Sequence, residues 1–261
     1  MLSNVTLVCV SSVQIRRSLA ALAISQSRVG FGRSLFLTHD IPRAVPRGID
    51  VVEIDRITSI DDYNRFVLYQ LWAYVETEFC LVVQADGYVL HPERWSDEFL
   101  DFDYVGAPWP LSDSAYIDPF GNHQQVGNGG FSLRSKRLLL VPTKVEVPWE
   151  VNHGSFYQHM NAGFYSEDGN ICVHNRHIFE AQGCRFAPPK VAGRFSRELR
   201  VPPFTQSRTF GYHKRSPITG LRKRAPAWRG WAIGSPTRVS GVTDSPVSEI
   251  RSAKSDRGGQ D

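Results

Sequence analysis

Apolar positions in the N-terminal half follow two rhythms. Val5–Val10 is an apolar run of the kind a strand buried on both faces shows. Gln14–Gln26, rich in Leu, Ala and Ile, predicts a helix, and Leu35–Thr38 and Val51–Ile54 predict two further short strands. Asp61 or Asp62 then predicts the cap of a helix reaching to Glu76, with Tyr63, Val67, Leu71, Tyr74 and Val75 at helical spacing. Phe79–Val83 is apolar throughout and predicts a fourth strand. Apolar strands alternating with helices predict an α/β fold, a Rossmann-type, mostly parallel sheet flanked by helices. Ligands of such sheets bind beyond the carboxyl ends of the strands. Two segments fall there: Thr38-His39-Asp40 after the second strand and Gln84-Ala85-Asp86-Gly87 after the fourth.

The second half reads differently. Short strands are expected at Tyr104–Ala107, Gly130–Leu133 and Arg185–Ala187, and a helix from near Asp168 to near Gly183. A long loop, Pro142–Tyr165, is rich in His, Asn, Tyr and Gly, and loops of that length within a domain are usually functional. After His213 the pattern dissolves into Pro, Ser, Gly, Arg and Lys, which divides the chain into a domain over 1–213 and a tail over 214–261. The tail cannot bury enough apolar surface to offset its ordering entropy, so disorder is expected. Trp228 and Trp231 are the exceptions, suited to docking on a protein surface or dipping weakly into a membrane interface. A chain ending near residue 216 should therefore keep its melting temperature; a large drop would mean that the two tryptophans pack on the domain.

Composition changes this picture little. Of 261 residues 41% are hydrophobic and 21% charged, which suits a soluble globular chain with one sizeable core. The net charge of +4 is uneven: ten Lys/Arg against four Asp/Glu from Lys214 onward, twenty against twenty-two before it. A near-neutral folded part demands no nucleic acid as partner. Met1–Val13 is apolar but lacks a basic leader, so it predicts a core strand and not a signal peptide. No apolar stretch is long enough to predict a transmembrane helix. Cys9, Cys80, Cys172 and Cys184 form no CxxC pair and predict buried free thiols in a reducing, cytoplasmic setting, not structural zinc.

Four features carry candidate chemistry. Asp86 follows a buried strand, a poor place for packing and a good one for a divalent cation or a ribose hydroxyl, since Mg²⁺ and Mn²⁺ take oxygen ligands and bridge phosphates. Asp86-Gly87 is equally a common turn pair. Gly127-Asn128-Gly129-Gly130 lets a ligand approach the backbone closely, or else forms a tight hairpin. Ser166-Glu167-Asp168 precedes a helical stretch, which its acids either cap or use as a platform for a general base. His213, ending Phe210-Gly211-Tyr212-His213, is a structural residue or a metal ligand opposite Asp86.

Taken together, these features resemble one family. Leu81–Leu90, Pro92-Glu93-Arg94-Trp95, Asp97–Asp101, Tyr104–Trp109, Val126–Ser135, Glu167-Asp168 with Ile171-Cys172, Arg185–Pro188 and Phe210–His213 are similar to the domain-of-unknown-function 5672 family, in its order, over roughly residues 4 to 213. That family is itself regarded as glycosyltransferase-like. The resemblance implies a GT-A fold and transfer of a sugar from a nucleoside diphosphate sugar to a carbohydrate or other hydroxyl acceptor, with inversion and the help of Mn²⁺ or Mg²⁺. By the GT-A pattern Asp86 matches the second Asp of an Asp-x-Asp motif, and Gln84 stands where the first would be, a departure that removes one carboxylate. Asp168 matches the base, Glu167 its acceptor-binding neighbour and His213 the late metal ligand. His39 and Asp40 stand where nucleotide contacts begin, and Gly127, Asn128, Gly129 and Gly130 would admit donor or acceptor sugar. Two rivals stand beside this reading. A nucleotidyltransferase would want a glycine-rich, basic phosphate loop after the first strand, which Ser11-Ser12-Val13-Gln14 is not. A non-catalytic nucleotide- or carbohydrate-binding module would account for Gln84.

Overall fold

The structure, a computed structural model, describes residues 1–111, 116–149 and 166–214, and the backbone of 233–234. Strand β1 (Leu2–Val10) is followed by helix α1 (Ile15–Arg28). Successive side chains of a strand point to opposite faces. Val5, Leu7 and Cys9 therefore pack with Leu19, Leu22 and Ala23 of α1, while Val8 and Val10 pack with Phe66 and Val67 of α2 (Ile60–Tyr69). Helices on both faces explain why the strand has no polar side, each fully buried aliphatic side chain contributing about 1.5–3 kcal/mol by leaving water.

Strands β2 (Phe31–Thr38), β3 (Asp50–Glu53), β4 (Phe79–Val83), β5 (Tyr104–Val105) and β6 (Phe131–Ser135) complete a six-stranded sheet in the order β3-β2-β1-β4-β6-β5. The first four run parallel, and β6 is antiparallel to both its neighbours. The fold is thus a mixed α/β architecture around a mostly parallel sheet. The chain runs outward from β1 to β2 and β3, then returns through α2 to lay β4 on the other side of β1. The order reverses between β1 and β4, and ligand crevices form at such reversals.

Several elements depart from expectation. The cap of α2 is Ser59 and neither Asp61 nor Asp62: Ser59 Oγ accepts from Asp62 N (3.0 Å) while Asp62 Oδ2 accepts from Ser59 N (3.1 Å). This reciprocal box uses two otherwise orphaned donors. The helix stops at Tyr69, and Leu71–Tyr74 is a separate 3₁₀ turn, so the apolar spacing up to Val75 spans two elements. The helix expected after Asp168 is three pieces, Glu167–Gly169, a π turn at Asn170–His174 and Arg176–Ala181. The Asn175 N–H reaches back five residues to the Asn170 carbonyl (2.9 Å), the bond that defines a π turn. The strand expected at Arg185–Ala187 reduces to a single bridge between Phe186 and Tyr104. All four cysteines are free and buried. Among the described residues no helix is long and apolar enough to cross a membrane. Residues 150–165 of the expected long loop, and the tail from Arg215 onward with Trp228 and Trp231, lie outside the described residues, save that Ile233–Gly234 pairs antiparallel with Val45–Pro46.

Candidate functional site

The crevice between β1 and β4 holds a cavity of about 350 Å³. Ser11–Gln14 after β1, residues 57–60 at the start of α2 and Gln84–Asp86 after β4 form most of its wall. Ser12 Oγ accepts from Ile57 N (2.9 Å) and ties two of these walls together. The lining contains neither Lys nor Arg, and its one charged side chain is Asp86. Gln84, in the place of a first motif carboxylate, turns its amide to the Tyr63 hydroxyl (2.8 Å). Burial, with the Glu167 charge, raises the Tyr63 pKa and keeps that hydroxyl neutral. His39 and Asp40 do not line this cavity. They follow β2, one strand outward from the reversal, whereas Ser11–Gln14 line the cavity.

Asp86 and His213 meet at the edge of this crevice. His213 Nε2 lies 3.4 Å from Asp86 Oδ1, and His213 Nδ1 lies 3.6 Å from Glu198 Oε1, which also pairs with Lys214 Nζ at 2.7 Å. Burial works against a charged His213, but its two carboxylate partners outweigh it and push the imidazole up to about 9. His213 in turn holds Asp86 below the usual carboxylate range. Burial would raise Glu198, yet His213 and Lys214 hold it low as well. The folded-state value of His213 exceeds its ordinary 6.5, so its pairing stabilises the fold fully below pH 6.5 and fades as pH rises through about 9. Melting temperatures across that range should fall for the natural chain and stay flatter for His213→Gln; parallel curves would remove this pairing as the source of the slope.

The glycine-rich loop is gripped from two sides. Gly130 O accepts from Gln84 N (3.1 Å), and a Cβ on Gly130 would overlap the His213 ring. A Cβ on Gly129 would overlap the Glu167 carboxylate, and one on Gly127 the Trp109 ring. The close approaches these glycines permit are thus to protein side chains, a use that the loop sequence does not announce. Asn128, with φ +87°, accepts from Gly130 N through Oδ1 (3.0 Å) and leaves its buried Nδ2 without a hydrogen bond. Asp168 accepts from Gly129 N through Oδ2 (2.9 Å) and from Gly169 N through Oδ1 (2.8 Å). Glu167 points inward: it is 3% exposed and paired with the fully buried Arg134 (2.7 Å). Burial, then the Asp168 charge, raises the Glu167 pKa, and Arg134 opposes both.

Of the residues singled out by sequence, Gln84, Asp86, Gly129, Gly130, Glu167, Asp168 and His213 come together through these contacts. Glu198, Arg134 and Ser11–Gln14 were not foreseen. A Glu fifteen residues from its His, or an Arg on the polar-residue face of a Phe-Ser-Leu-Arg-Ser strand, carries no local signal of its partner. The Ser59-x-x-Asp62 spacing beside the cavity was readable as a capping box.

No curated protein matches the sequence. Among solved structures, the chain is similar to the galactosyltransferase LgtC in complex with donor and acceptor sugar analogues, at 14% identity over 85% of this chain and 91% of that one, with a TM-score of 0.48. It is similar to a glycosyltransferase involved in the glycosylation of the major capsid of PBCV-1, at 14% identity over 80% and 94%, with a TM-score of 0.42. A third likeness is to the apo-form glycosyltransferase GlyE of Streptococcus pneumoniae TIGR4, at 14% identity over 81% and 54%, with a TM-score of 0.40. Likenesses this distant bring no chemistry to the chain. The family model described as "Protein of unknown function (DUF5672)" matches residues 48–213, a span that holds the Asp86–His213 pair, the glycine-rich loop and Asp168. With more than half of its length matched, the chain belongs to the DUF5672 family.

Proposed function

We propose that this protein transfers a sugar from a nucleoside diphosphate sugar to a hydroxyl acceptor, with the nucleotide in the cavity between β1 and β4. The observation that carries the reading is the meeting of Asp86 and His213 at that cavity, next to a loop whose other side holds Asp168. Asp168 would take the proton of the acceptor hydroxyl as its oxygen bonds to the anomeric carbon. The bond from that carbon to the diphosphate breaks, and the diphosphate leaves with the electron pair. Attack opposite the leaving group inverts the anomeric configuration.

The residues would fit a divalent cation only where it displaces the proton that His213 holds between Asp86 and Glu198. Asp86 and His213 present an oxygen and a nitrogen 3.4 Å apart, and Glu198 backs the far nitrogen of His213 as a carboxylate commonly backs a metal-bound imidazole. Gln84 brings no carboxylate, and among the described residues no three His, Cys, Asp or Glu side chains are grouped to hold a metal. Two protein ligands completed by substrate phosphates suit Mn²⁺ or Mg²⁺. Such an ion, when bound, would neutralise charge on the departing diphosphate.

Gln84 also supports a second reading, a non-catalytic module that binds nucleotide or carbohydrate. UDP-glucose, UDP-galactose and GDP-mannose, each with and without Mn²⁺, separate the two. A donor at a hundred times its dissociation constant should stabilise the fold by about 2.7 kcal/mol. Binding followed by Mn²⁺-dependent release of nucleoside diphosphate supports the transferase, and binding without release supports the module. Neither binding nor release with any donor would sink the transferase reading.

A further inference from the structure

We propose that Arg134 and Glu167 form a positioning clamp for Asp168, with Gly129 as the part it grips. The proposal rests on the reading of Asp168 as the base. Arg134 lies on β6 with no exposed surface, donating through Nε to Ser132 Oγ (3.0 Å) and through Nη2 to Glu167 Oε1 (2.7 Å). Its guanidinium carbon sits 5.4 Å from the centre of the Tyr104 ring. Two consecutive carboxylates then meet one glycine. Glu167 fills the space that a Cβ on Gly129 would need, and Asp168 accepts the Gly129 N–H.

A buried ion pair is a poor way to stabilise a core, because desolvating both ions offsets most of their attraction. Apolar side chains of similar volume would hold this region together at least as well. They would not fix the direction in which residue 167 points. A planar guanidinium anchored at Ser132 does so, since its donors are set in a rigid fork. Through one peptide link, the place of Glu167 sets where the Asp168 carboxylate meets the loop. Three-residue Glu167–Gly169 is too short to hold that direction unaided, and a π turn follows it. Arg134 and Glu167 are positioning residues that touch no substrate.

The test is the double variant Arg134→Met with Glu167→Met, read in three ways. Its melting temperature should equal or exceed that of the natural chain. The Gly129 amide, followed by hydrogen exchange in NMR spectra, should exchange about tenfold faster as its bond to Asp168 loosens. Release of nucleoside diphosphate from UDP-glucose, UDP-galactose or GDP-mannose should fall about 10²-fold in kcat with KM for the donor unchanged. Natural exchange at Gly129 in the folded double variant overturns the proposal, and so does faster exchange with undiminished kcat. Should the double variant not fold, Arg134→Lys decides by the same readings, because it keeps the charge and loses the fork. If the natural chain acts on none of the three donors, the functional reading fails separately. Gly129 exchange still decides whether the clamp holds Asp168.

Discussion

Asp168→Asn is expected to lower turnover by about 10²- to 10⁴-fold, the usual contribution of a general base, while donor affinity stays near that of the natural chain. Both Asp168 oxygens accept backbone N–H groups, one from Gly129 and one from Gly169. Asn offers a single acceptor oxygen; kept on the Gly129 N–H, it leaves the Gly169 N–H to Ser166 Oγ, which already accepts it at 3.3 Å, so the cost is about 1 kcal/mol or less. The fold should survive that loss. If Asp168 only caps the Glu167–Gly169 turn, the stability loss appears alone and turnover is unchanged. Steady-state kinetics with the donor found by thermal shift, together with a melting curve, separate the two. A folded Asp168→Asn protein with natural turnover would falsify the role of Asp168 as base. Glu167 would then be a poor substitute, because it is buried against Arg134.

Glu167→Ala should be the more damaging change to stability, by about 3–5 kcal/mol. The substitution removes the acceptor of Arg134 Nη2 and leaves a guanidinium with no exposed surface facing an empty space. Nη1 of Arg134 is already buried without a hydrogen bond, which leaves Ser132 Oγ and the Tyr104 ring as its remaining partners and no carboxylate paired with it. Chemical denaturation at neutral pH measures the effect. A loss below about 1 kcal/mol would mean that water reaches Arg134, and that the pair is less buried than the structure has it. The contrast with the double methionine variant matters more than either value alone. One removes a single partner and strands a charge, and the other removes both charges together.

The strands and the first helix were legible because their signal is local. Val5–Val10 and Phe79–Val83 are apolar on both faces, and the observed strands are Leu2–Val10 and Phe79–Val83. Gln14–Gln26 reads as a helix and the observed one is Ile15–Arg28. The segment after Val83 is likewise placed by the sequence at the carboxyl edge of the sheet, and in the structure Gln84–Asp86 line the crevice there. The C-terminal half carries a weaker local signal. The π turn at Asn170–His174 and the lone bridge at Phe186 are settled by contacts with distant segments, not by propensity.

By itself the sequence determined the kind of layers, the position of the candidate acids and the DUF5672 pattern, because periodicity and motif spacing are written along the chain. Strand order is not written there. Only the tertiary structure put β4 next to β1, which opened the crevice beside Ser11–Gln14 and left His39 and Asp40 one strand away. Only the tertiary structure set Glu198 behind His213 and Arg134 beneath Glu167. The physical reason is the same in each case. A charged side chain is stable in the interior only with a partner within a few ångströms. Which partner reaches it is decided by packing between segments far apart in the chain.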